Sequence, residues 1–148
     1  MSEASQRKNL VKKLATLDAV SIESHMTGIG IPDVNYIGGW IELKWLRAWP
    51  KGADKNPVRF DHTLSQEQKV WRKRRILRGG VALVGIQVSH SWFFYKSLEI
   101  NNWFDNMTRP QMVERADYYD NNGLDANRLI NWLEGLPCRE KRESLLTF

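Results

Sequence analysis

Leu10, Val11, Leu14 and Leu17 recur at helical spacing, while Ser5, Arg7, Lys8, Lys12 and Lys13 take the other face, which predicts an amphipathic helix over residues 4–17. Val20 and Ile22 then alternate with Ser21 and Glu23, a strand pattern over residues 19–25. A glycine-bearing connection, "TGIGIP", leads to "DVNYI" at 33–37, and Gly38-Gly39 marks a hairpin turn into "WIELKWL" at 40–46. Two prolines and mixed charge make 47–62 a long loop. "SQEQKVWRKRRILRGG" reads as a helix capped by Ser65 and stopped by Gly79-Gly80. "VALVGIQV" at 81–88 is a buried strand, and "SWFFYKS" at 91–97 is another. From Glu99 on, the pattern is helical in pieces, with two short helices around Asn122-Gly123 and with Leu129, Ile130 and Leu133 inward.

Helix, three strands, helix, two strands, then helices is the order of an α/β fold with a central mixed β-sheet flanked by helices. Residues 1–98 carry that core, and 99–148 form a small helical C-terminal extension packed on the same domain. The length of 148 residues suits one domain. No run of 18 apolar residues exists, so no membrane span is expected. The first residues carry charges but no apolar stretch, unlike a secretory signal. Cys138 is the only cysteine, and His25, His62 and His90 are scattered, which argues against a disulfide framework or a structural zinc site. A cytoplasmic setting follows as the expectation.

The net charge of +5 permits a polyanionic partner without requiring one. Its distribution says more: "KVWRKRRILR" at 69–78 holds six of the 22 Lys and Arg residues and no acid. Close to it in sequence, Glu42 and Lys44 sit inside an apolar run. Side chains alternate across a strand, so Trp40, Glu42 and Lys44 share one face while Ile41, Leu43 and Trp45 share the other. The hairpin brings Asp33 alongside Glu42 or nearly so. Two converging carboxylates repel unless a cation lies between them, and Mg²⁺ needs only one or two carboxylates because it keeps several waters. Lys44, while charged, cannot be a ligand, but it can hold a phosphate or position a water. The plainer reading is an exposed polar strand face with a weak surface ion pair.

Pro32-Asp33 followed by Glu42-Leu43-Lys44 on a hairpin resembles the PD-(D/E)xK nuclease signature. A preceding helix and strand, "GIGIPDV", "IELK", "LSQEQKVW", then Gly-Gly and an apolar strand, narrow this to the VRR-NUC branch, which is similar to Holliday junction resolvases. The resemblance spans roughly residues 5–95 and implies a restriction-endonuclease-like core. It implies that Asp33, Glu42 and the backbone carbonyl of Leu43 bind Mg²⁺, with Mn²⁺ able to substitute. Lys44 would orient the attacking water and offset charge on the phosphorane, and Gln68 would line the cleft as a further catalytic residue. The reaction implied is phosphodiester hydrolysis leaving a 5′-phosphate and a 3′-hydroxyl. Members often hold another acid on the first helix. Residues 4–17 contain none; Glu3 precedes them, Asp18 follows, and Glu23 lies on the first strand, so that acid stays unassigned.

On the basic helix, Val70, Trp71 and Leu77 read as core, and Arg72 and Arg75 share a flank with Gln68, which makes them the preferred phosphate contacts. A merely solvated basic helix is the alternative. In the loop, Lys51, Lys55 and Arg59, with Trp49 and Phe60, could contact DNA, or the loop could fold back on its tryptophan. Trp92, Phe93, Phe94 and Tyr95 cannot all face one core, so either helices cover both faces or one face is an oligomer interface. The resolvase likeness favours a homodimer with two active sites on branched DNA. No small-molecule cofactor and no membrane partner are expected, and a bacterial or phage-infected cell would suit such a nuclease. The rival readings are a non-catalytic DNA-binding module that kept the nuclease fold, and a restriction-type or nicking endonuclease.

Overall fold

Ser2 caps the first helix: its hydroxyl accepts the Ser5 N–H at 3.2 Å, Glu3 lies in the first turn and Lys12 and Lys13 in the last, matching the helix dipole at both ends. This computed structural model describes residues 2–22 and 30–136. Helix α1 spans Glu3–Lys13, and a 3-10 turn, Ala15–Leu17, follows it. The helix therefore begins one residue earlier than its apolar stripe suggests, and Glu3 belongs to it. It also ends before Leu17, where Asp18 turns left-handed at φ 55°.

Strand β1 is Val20–Ser21; the rest of the first predicted strand, 23–25, lies outside the described residues. Strand β2, Val34–Tyr36, and strand β3, Gly39–Leu46, pair antiparallel with Val34 opposite Ile41 and Asn35 opposite Trp40. The turn is Ile37-Gly38, one residue before the expected pair, because Gly39 still pairs with Tyr36. Helix α2, Gln66–Leu77, carries the chain over the sheet so that β4, Ala82–Val88, runs parallel to β3. Strand β5, Ser91–Tyr95, returns antiparallel.

Helix α3, Ile100–Trp103, and helix α4, Arg109–Arg115, precede β6, Tyr118–Asp120, and helix α5, Ala126–Glu134, follows it. The C-terminal extension is therefore not purely helical. Strand β6 adds a sixth strand beside β5, giving the order β1-β2-β3-β4-β5-β6. The molecule is an α/β fold with a mixed sheet between helices. Among the described residues, no helix is long and apolar enough to cross a membrane.

Alternation splits the core in two. Ile41, Leu43, Leu83, Trp92 and Phe94 face α1 and α5, packing on Leu10, Leu14, Leu129 and Leu133. Val84, Ile86, Val88, Phe93 and Tyr95 face Ile100 and Met112 and the 47–65 loop through Ala53, Val58 and Leu64. Full burial of one such side chain stabilises by about 1.5–3 kcal/mol. The aromatic run of β5 is thus covered on both faces within the chain. The loop folds back: Phe60 N–H donates to Asp105 Oδ1 at 2.8 Å, and Trp49 stands edge-on to Phe93 at 5.9 Å.

Candidate active site

Helix α2 sets the site, and its N-terminus is fixed by a capping box. The Ser65 hydroxyl accepts the Gln68 N–H at 3.1 Å, and Gln68 Oε1 accepts the Ser65 N–H at 2.9 Å. The remaining amide donor of Gln68, Nε2, reaches down to the sheet and donates to Glu42 Oε1 at 2.6 Å. One side chain therefore ties the helix start to the middle of β3. Gly30 serves the same corner. It lies at φ +86°, and a Cβ there would stand 2.6 Å from the Glu67 carbonyl oxygen, so only glycine lets this loop pass α2 on its way to Asp33.

Strand β2 stops short of Glu42, and a side chain takes over the open edge of β3: Asp33 Oδ2 accepts the Leu43 N–H at 2.8 Å, which satisfies that backbone donor. Gln6 Nε2 donates to the Lys44 carbonyl at 3.0 Å and ties α1 to β3. Asp33 also lies 3.8 Å from Arg7. Lys44 Nζ donates to the Thr63 carbonyl at 3.0 Å and stands 3.7 Å from Glu42 Oε1. These groups surround a cavity of about 170 Å³ also lined by Glu3, His62 and Leu43.

The electrostatics are those of an incomplete site. Glu42 is 3 % exposed and Lys44 6 %. Burial pushes the Glu42 carboxyl well above its ordinary value, the Asp33 charge pushes it further, and Lys44 only partly offsets this. Burial also raises Asp33, against the pull of the Leu43 N–H, Lys44 and Arg7. Glu42 Oε2 and Gln6 Oε1 are buried without a hydrogen-bond partner among the described residues. Orphan buried oxygens beside two carboxyls fit a hard cation, which would take them as ligands directly or through its waters. Among the described residues, no group of three or more His, Cys, Asp or Glu gathers closely enough to hold a metal. A site here rests on Asp33, Glu42 and a backbone carbonyl.

Asp33, Glu42, Lys44 and Gln68, and with them Leu43, meet at one cavity. The charged helix residues divide. Arg72, expected on a solvent flank, is 1 % exposed and donates to Ala82 O at 2.9 Å, Asn101 Oδ1 at 2.7 Å and Ser97 O at 3.0 Å. Its placement as a phosphate contact is corrected: the guanidinium is spent within the fold. Burial lowers its pKa to about 10, so it stays charged at neutral pH. Arg75 is exposed, as are Lys51, Lys55 and Arg59 on the loop, and none of these four lines the cavity.

Val70 and Leu77, expected in the core, are 50 % and 68 % exposed. The stripe that faces the sheet runs through Gln68, Trp71 and Arg75 instead, with Trp71 edge-on to Trp40 at 5.3 Å. Sequence reasoning missed Gln6, Arg7 and His62 as lining residues and Thr63 as the lysine's acceptor. Gln6 is a polar residue on the helix face that carries Leu10, and that was the available signal. Glu23 lies outside the described residues. No protein-family model matches the chain, and no curated protein is significantly similar to it.

Proposed function

We propose that this chain is a metal-dependent DNA endonuclease with a restriction-endonuclease-like core, of the PD-(D/E)xK type and closest in pattern to the VRR-NUC branch. The observation that carries the proposal is the convergence of Asp33, Glu42, Lys44 and Gln68 on one cavity, with a buried Glu42 oxygen left unpartnered. Asp33, Glu42 and the Leu43 carbonyl would hold Mg²⁺, or Mn²⁺ in its place, and Glu3 is the first-helix acid that lines the same cavity. When bound, such an ion supplies Lewis-acid polarisation of the phosphate and a lowered water pKa.

The chain's own groups do the rest. Gln68 holds one Glu42 oxygen and so fixes the rotamer of that carboxyl. The Leu43 N–H holds Asp33 Oδ2 and turns the other oxygen toward the cavity and Arg7. Lys44 orients the attacking water and stabilises charge that develops on the phosphoryl oxygens. The products would be a 5′-phosphate and a 3′-hydroxyl. No separate sequence-reading domain is visible among the described residues, which supports selection by DNA structure, branched DNA or a Holliday junction, by a homodimer in the cytoplasm of a bacterial or phage-infected cell.

The test is a cleavage assay on labelled four-way junction, flap, linear duplex and single strand, with Mg²⁺ or with EDTA, beside Asp33→Ala and Lys44→Ala. Metal-dependent cutting abolished by both substitutions is the expected result, and the preferred substrate separates a resolvase from a restriction-type or nicking enzyme. Salt-sensitive binding without cutting in either metal would replace the proposal with a non-catalytic DNA-binding module.

A further inference from the structure

The stripe of α2 that places Gln68 over Glu42 continues past the cavity. Gln68, Trp71, Arg75 and Arg78 follow one another at intervals of three, four and three residues, so they lie along one side of the helix. On the sheet, Asn35 and Trp40 are the next pair after Asp33 and Glu42 on the same face. A groove of two parts runs beside the C-terminal half of α2. One part, about 460 Å³, is lined by Trp71, Arg74, Arg75, Arg78 and Gly80. A second part, about 270 Å³, shares Arg75 and Gly80 and passes Trp40 to the exposed hairpin turn.

No carboxylate among the described residues lines either part. Among the described residues, Arg74, Arg75 and Arg78 make no ion pair with an acid. Arg75 lies over both rings, with its guanidinium carbon 4.5 Å from the Trp71 ring centre and 5.7 Å from that of Trp40. Gly80 makes room for this: a Cβ there would stand 2.8 Å from Arg75 Cγ. Basic residues in a last helical turn offset the helix dipole, but that role needs no aromatic floor.

We infer that this groove is a binding track for an unpaired nucleic-acid strand that leaves the cavity along α2. Arginines would take successive phosphates, and the Trp40–Arg75 surface would take a base face. A cationic groove over aromatic planes is the chemistry of single-strand binding, tolerant of sequence. The spacing suits it. Trp40 lies two strand residues, roughly 7 Å, from Glu42, and Arg75 lies seven helical residues, roughly 10 Å, from Gln68. Both distances lie within reach of a strand that leaves the cavity along α2. The inference rests on the nuclease reading for what sits in the cavity, yet strand binding is measurable without cutting.

The experiment is fluorescence anisotropy of a labelled dT12 and a labelled 12-base-pair duplex in EDTA, at several salt concentrations. The proteins are wild type, the double variant Arg75→Ala with Arg78→Ala, and Lys12→Ala on the exposed face of α1 as a control that removes a charge away from the groove. The double variant is expected to bind dT12 at least about tenfold more weakly, with the salt slope reduced by about 1.4 for two lost phosphate contacts. Arg75→Lys, which keeps the charge but not the guanidinium, recovers the slope and not all of the affinity. Lys12→Ala behaves as wild type. Unchanged dT12 affinity and slope in the double variant, or a loss confined to the duplex, overturns the groove. The cutting assay reads the two ideas apart. A chain that cuts nothing but loses dT12 binding in the double variant keeps the groove and loses the nuclease reading. A nuclease whose double variant binds and cuts as wild type loses only the groove.

Discussion

Arg72 and Glu42 are opposite charges buried on one sheet face under one helix, at 1 % and 3 % exposure. Arg72 donates to three acceptors on β4 and at the start of α3, and nothing around it asks for a further partner. Glu42 has one oxygen held by Gln68 at 2.6 Å and the other without a hydrogen-bond partner among the described residues, with the Asp33 carboxyl beside it. Burying a charge is costly unless it is paired and hydrogen-bonded. Arg72 has its hydrogen bonds filled inside the fold and acts as a clamp between α2, β4 and α3. Glu42 is paired with Lys44 and held by Gln68 through one oxygen only, and its second oxygen, without a hydrogen-bond partner among the described residues, is where the proposed cation would sit.

Four substitutions would break or sharpen this contrast. Arg72→Ala removes the clamp and strands three acceptors, and should cost about 3–5 kcal/mol of stability in urea unfolding; a loss below about 1 kcal/mol would mean the clamp is slack. Lys44→Ala should lower the cleavage rate by about 10²- to 10³-fold while the protein stays folded by circular dichroism. Gln68→Ala releases the Glu42 rotamer and should weaken Mg²⁺-dependent cutting by about 10- to 100-fold. It also removes half of the capping box, at about 1 kcal/mol of helix stability. An effect on stability alone would make Gln68 only a cap.

The smallest effect is the most diagnostic. Both carboxyls are raised on folding, so the native state binds more protons than the unfolded chain above the ordinary carboxyl value. Metal-free stability is then full at acid pH and falls as pH rises through the folded-state value. Glu42→Gln should flatten that fall and raise the melting temperature at pH 8 in EDTA. An unchanged slope in thermal melts from pH 5 to 9 would show that Glu42 is already compensated.

The hairpin was legible from alternation across 40–46 and the glycines near the turn, but its register was not: the turn falls at Ile37-Gly38, and that shift of one residue is what sets Asp33 beside Glu42. Ser65 was legible as a cap because Gln68 follows at the right interval. Arg72 was not, since burial of an arginine depends on Ala82, Ser97 and Asn101, which lie at distances in sequence that no local pattern reports. Once Arg72 and Trp71 turn inward, Val70 and Leu77 must turn out, so the apolar stripe misled. Strand β6 was hidden for a related reason. Three residues have no period of their own and become a strand only by pairing Tyr118 with Phe94 at the sheet edge. Gln6 serves the site through an amide bond to a backbone carbonyl 38 positions away, a role that side-chain chemistry alone does not announce.

The most direct test of the central claim is calorimetric titration of wild type and Glu42→Gln with Mn²⁺ between pH 6 and 8, in buffers of different ionisation heat. Metal binding displaces protons from its ligands. If the unsatisfied carboxyls are a cation site, wild type binds Mn²⁺ with release of protons, and Glu42→Gln loses both the affinity and the release. Equal binding and equal proton release in the two proteins, or no binding to wild type, would contradict the account.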